Sequence, residues 1–275
     1  MNQSASRISV IFTAILLITL SVISVLGVFI PETYSRETAS LAAQGMGQDF
    51  INLFIVVPLL FIILLIKPYN RIMPGFIYGG LLLYILYSFF IYSFGIHFNR
   101  LFILYCLTLG LSFYAFVFHL HEFSPKVSEK TFGPKIPAKI TAIFFMFIAL
   151  VFYMLWLKDI IPALIHNTVP EQVHKDNLLV NPVHVVDLAF ALPALIITAI
   201  LLFKKHRIGY LFAPVWLGFC ILLGLALTGM VVALKIKGIS EDLSVAFVFV
   251  TISLVSLVLL WGWLKNIKQE NHILS

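Results

Sequence analysis

The sequence predicts an all-α, polytopic transmembrane bundle whose eight spans form two parallel four-helix repeats. Three observations lead there. First, 61% of the 275 residues are hydrophobic and 11% are charged, with a mean hydropathy of +1.05. A soluble domain carries about 25% charged residues, so an ordinary soluble protein, a disordered chain and a coiled coil are all excluded. Second, apolar runs long enough to cross roughly 30 Å of hydrocarbon recur along the chain. Third, proline, glycine and polar landmarks recur at a nearly constant offset.

The predicted spans are residues 8–30, 50–66, 72–95, 101–120, 139–161, 183–203, 208–234 and 243–264. Helices are the expected solution because lipid offers backbone groups no partners, and none of the runs alternates with period two as a barrel strand would. The first run is followed by Pro31-Glu32 and is longer than the apolar core of a cleaved leader, so it counts as a true span. The second is short, and Lys67-Pro68-Tyr69-Asn70-Arg71 turns it into a hairpin with the third. Asn181-Pro182 gives the sixth a helix cap followed by proline at the first helical position. The seventh is long enough to tilt.

Charge sets the direction. Twelve Lys and Arg fall in one set of connections and tails, including Lys126, Lys130, Lys135 and Lys139, and six in the other. Cationic residues accumulate on the cytoplasmic side, so a bacterial plasma-membrane location with both termini cytoplasmic is expected. The net charge of +6 is thereby a matter of topology, and no nucleic-acid partner is predicted; the lipid bilayer is the partner. Cys106 and Cys220 sit in separate apolar runs and build no dithiol or thiolate metal centre.

The repeat joins residues 1–125 to 126–275. Ile8-Ser9-Val10-Ile11-Phe12 resembles Ile140-Thr141-Ala142-Ile143-Phe144, and Ile30-Pro31 matches Ile161-Pro162. Asp49-Phe50-Ile51-Asn52 with Pro58 matches His184-Val185-Val186-Asp187 with Pro193, and Gly75-Phe76-Ile77-Tyr78 matches Gly209-Tyr210-Leu211-Phe212. A repeat with an even number of spans enters twice from the same side, so an axis along the membrane normal relates the halves, with a cleft between them as the place for function.

Charged side chains within the bilayer are costly and mark candidates for function. Asp187 is the sharpest, about 7–8 Å below its helix start at 1.5 Å per residue. His184 is three residues earlier on the same face, and a carboxylate beside an imidazole suits proton transfer, orienting a metal-bound histidine or a buried ion pair, Asp187 pairing with His184 or with Arg100. In the first half the equivalents are Asp49, read as a helix-capping residue, and Asn52, placed deeper. His97, Arg100 and Asp159 are expected at the same outer surface, beneath a polar 166–181 segment able to act as a lid. Asn52, His184 and Asp187 would face one another near the axis.

Other signals carry less. His119 and His121 point to opposite sides of a helix and are read as interfacial. Tyr84 and Tyr87 share a face of the third span and suit either packing or a cleft lining. Gly75 with Gly79, and Cys220 with Gly224 and Thr228, mark close helix contacts. No nucleotide, zinc-protease or nucleophile-elbow motif occurs. No metal site is predicted, and the sequence names no cofactor.

Gly47–Asn52, Phe94–Asn99 and Asn181–Asp187 resemble segments of bacterial polytopic membrane proteins of no assigned activity. The duplicated four-helix plan is also similar to that of the heme A synthases, whose paired intramembrane histidines this chain lacks. The leading expectation is an outward-facing polar cleft that binds or transports a small solute or ion, with Asp187 as its charged centre. The alternatives are a membrane enzyme acting on a lipid, quinone or porphyrin at the outer leaflet, and a scaffold whose polar residues only lock helices.

Overall fold

The computed structural model describes residues 3–66, 71–240 and 242–268. The protein is 83% helical, and its described residues contain eight helices long and apolar enough to cross a membrane. They are α1 (Gln3–Phe29), α2 (Ala39–Ile66), α3 (Ile72–Gly95), α4 (Phe102–Phe123), α5 (Ala138–His166), α6 (Pro182–Phe203), α7 (Arg207–Ile236) and α8 (Ser244–Leu264). Large apolar side chains such as Ile103, Phe147, Phe190 and Val258 stand on the outside of the bundle. Water would not tolerate such a surface over every helix, whereas hydrocarbon does. This architecture is compatible with an integral membrane protein.

Several boundaries differ from the predicted ones. The second helix begins at Ala39, where the Thr38 hydroxyl accepts the Leu41 amide, and not at residue 50. Its first turns are small and polar, so hydropathy alone misses them. They are helical because Gly47 lets α2 approach α7 until a Cβ on Gly47 would lie 2.4 Å from the Gly229 carbonyl oxygen. The fifth helix runs past Pro162 to His166 and is ended by Asn167 in the left-handed region (φ 50°). The predicted cap of the sixth holds: the Asn181 side chain accepts the Val183 amide, and Pro182 follows. Four residues of the predicted 67–71 hairpin connection lie outside the described residues.

Two helices change pitch. Both α2 and α6 contain one π turn, at Asn52–Val56 and Asp187–Ala191. Each ends just before a proline, Pro58 or Pro193, which has no N–H to offer the carbonyl four residues back. Widening the turn, with the Val57 amide reaching Asn52 and the Leu192 amide reaching Asp187, absorbs that interruption.

The centre of the bundle is α3, with 72% of its membrane window buried against 28–44% for the other spans. Beside it α7 touches α2, α3, α6 and α8. Helix α3 meets the start of α6, and α1 packs on α2 and α4, α5 on α6, α3 on α4. At the end bearing the 124–137 connection, Phe132 stacks into a cluster with Phe76, Tyr210 and Trp263. His119 is buried there, edge-on to Tyr78 and stacked on Phe123, so its interfacial reading is corrected. The aromatic neighbours fill a helix face that sequence spacing alone cannot assign to lipid or core.

Candidate functional site

Three polar centres lie inside the bundle near the N-terminal halves of α2 and α6. Asp49 is fully buried and receives the hydroxyls of Tyr34 and, at 3.0 Å, Tyr92. Tyr34 stands on a single 3-10 turn, Pro31–Tyr34, in which proline presets the first dihedral. Space for the carboxylate comes from α1, where Gly27 has no Cβ; one built there would fall 1.7 Å from Asp49 Oδ2. Asp49 therefore lies ten residues inside α2 and is not a capping residue.

Asn52 is also fully buried, at the start of the π turn, and accepts the Tyr84 hydroxyl at 2.8 Å. Asp187 starts the other π turn and is 6% exposed. It receives the Tyr87 hydroxyl at 2.9 Å on one oxygen and the Trp156 indole N–H at 2.9 Å on the other. Tyr84 and Tyr87 are one helical turn apart on α3, so this one face ties Asn52 of α2 to Asp187 of α6.

The expected His184–Asp187 pair does not form a hydrogen bond. Donors from α3 and α5 occupy both Asp187 oxygens, while the His184 ring packs on Trp156 with centroids 4.7 Å apart and contacts Asn181. Arg100 is exposed and makes no ion pair with Asp187; Asp159 is exposed as well. His97 lies in the connection after α3, where Nδ1 meets Glu37 Oε2 at 2.9 Å and Nε2 meets the Asn177 carbonyl at 3.2 Å. The Glu37 hydrogen bond raises the His97 pKa against the opposing effect of partial burial. His97 thus clasps the start of α2 to the 167–181 segment.

Between these groups is a cavity of about 330 Å³. Its walls come from α2, α3, α7, Trp156 of α5 and the start of α6, together with Gln172, Asp176 and Leu178 of the segment before α6. Tyr34, Tyr87, Tyr92 and Trp156 line it, so Asp49 and Asp187 lie one side chain behind the surface. The acids that line it directly are Glu37 and Asp176. Asp176 is held by Gln172 at 2.7 Å and by Thr38 at 3.4 Å.

None of the seven candidate residues lines the cavity. Asp49 and Asp187 lie behind its tyrosines and Trp156, His184 packs on Trp156, and His97 bonds Glu37, whereas Asn52 bonds Tyr84, which is outside the lining. Tyr34, Trp156 and Glu37 went unnoticed in the sequence. An isolated aromatic in an apolar run carries no spacing signal, and only the crossing of helices shows which ring reaches a carboxylate. Comparison with protein-family models, curated proteins and solved structures gives no match to this chain.

Proposed function

We propose that the protein binds or translocates a small solute or ion through the cavity at the junction of α2, α3, α6 and α7, and that this cavity opens on the outer side of a bacterial plasma membrane. The observation that carries the reading is the cavity itself. About 330 Å³ falls at the lower end of solute-site volumes, and it is walled by oriented hydroxyls and ring faces with carboxylates behind them. Bundles filled for stability alone leave no such space beside buried acids.

The duplication is proposed with it. The two π turns are 135 residues apart, as are Asn52 and Asp187, and Pro58 and Pro193. Part of the contact pattern supports it: α2 on α7 mirrors α6 on α3, and α3 meets its own counterpart α7 where Gly80 faces Gly218, whereas among the described residues α5 does not pack on α8 as α1 packs on α4. An axis running between α3 and α7 along the bundle supports a site shared by both halves.

Leu227, on the cavity wall, tests the reading. Leu227→Cys in a Cys106→Ala background is expected to react with membrane-impermeant methanethiosulfonates added outside right-side-out vesicles. If neither the trimethylammonioethyl nor the sulfonatoethyl reagent modifies it, the cavity is closed to solutes and the polar groups serve only to lock helices.

A further inference from the structure

We propose that the cavity selects small organic cations, protonated amines with an apolar body, over neutral and anionic solutes of the same shape. The proposal rests on the solute-binding reading above and specifies its ligand class.

The first support is the charge of the lining. Glu37 and Asp176 are its only charged side chains among the described residues, and both are acids. Neither lysine nor arginine lines it. Asp49 and Asp187 add carboxyl groups one side chain deeper. His97 is the one basic group bonded to this set, on the far side of Glu37.

The second is the direction of the hydrogen bonds. Tyr34 and Tyr92 donate to Asp49, and Tyr87 donates to Asp187. A phenol has one proton, so each of these hydroxyls has spent it on a carboxyl group and can only accept from a ligand. The Trp156 N–H is likewise spent on Asp187. Gln172 gives one amide proton to Asp176 and Gln44 one to Ser40, and each keeps its second. What remains sets the phenol lone pairs and the oxygens of Glu37 and Asp176 beside a few amide protons. An ammonium brings three donors and no acceptor and complements those oxygens; a carboxylate would be repelled by the two acids and find only the amide protons.

The third is the aromatic surface. Tyr87, Tyr92 and Trp156 line the cavity, and ring faces attract a desolvated cation. The apolar body fits against Leu223, Leu227 and Met230 on the opposite wall.

Three measurements on one preparation test this. At Leu227→Cys, the rate ratio of the trimethylammonioethyl to the sulfonatoethyl reagent is divided by the same ratio at exposed Ser35→Cys. The normalised ratio is expected to be about 10 or more, the scale on which a charged cleft concentrates counter-ions. Asp176→Asn should lower it severalfold. Millimolar 2-phenylethylammonium should protect Leu227→Cys from either reagent, and 2-phenylethanol should not. A normalised ratio at or below one, or equal protection by the alcohol, overturns the cation assignment and leaves the solute cavity standing. Failure of both reagents to react overturns the two together.

Discussion

At the residue scale, the buried carboxylates within the spans lie where other elements supply donors. Asp187 illustrates this, with a donor from α3 and another from α5 for its two oxygens. His97 shows the same economy outside the spans. A neutral imidazole has one N–H, yet both of its ring nitrogens face acceptors, Glu37 and the Asn177 carbonyl. Only the imidazolium satisfies both. Its pKa is raised in the folded protein, so the clasp's contribution is complete below the unfolded value of about 6.5 and is lost as pH rises through the folded value. Glu37 is the acid facing the ring, while Arg36 is directed to the Phe98 carbonyl. Melting temperature and amide exchange of residues 167–181 should both register loosening as pH rises through that range. His97→Gln should flatten the dependence, with a stability effect of about 1 kcal/mol for one hydrogen bond in a partly buried pair. An identical pH profile in the variant would remove the clasp.

At the scale of elements, small residues decide how close helices come. Gly27 is the clearest case, since a methyl there collides with the Asp49 carboxylate and approaches the Tyr34 hydroxyl to 3.1 Å. Gly27→Ala should destabilise the protein by about 1–3 kcal/mol, the usual cost of overpacking. Gly110→Ala, where a Cβ meets nothing within 4 Å, should be neutral or slightly stabilising. Unfolding midpoints in the same detergent compare the two, and equal effects would show that α1 leaves Asp49 more room than described. The sixth helix was legible down to its cap, because Asn-Pro is a local signal read by the backbone itself. The start of α2 was not: its small polar turns are held by contact with α7, which hydropathy does not see. The π turns were equally hidden, although Pro58 and Pro193 marked their places.

At the scale of the whole molecule, the expected orientation rests on cations that do not cross the membrane readily. Single cysteines in the Cys106→Ala background at exposed Ser35, Glu171 and His206 should label from outside, outside and inside. The reverse pattern would turn the cavity toward the cytoplasm. No single helix holds the buried polar groups: α2 brings Asn52, α6 brings Asp187, and α3 joins them through Tyr84 and Tyr87.

The sequence by itself determined the eight helices long and apolar enough to cross a membrane, because that length and apolarity are properties of composition and local runs, and it marked the acids within them. Only the tertiary structure decided which partners those acids take. His184 and Arg100 are close to Asp187 along the chain or by expected depth, but tyrosines and a tryptophan from other helices reach it first. Hydrogen bonds in a bundle are set by where helices cross, and crossing depends on side-chain shapes far apart in sequence.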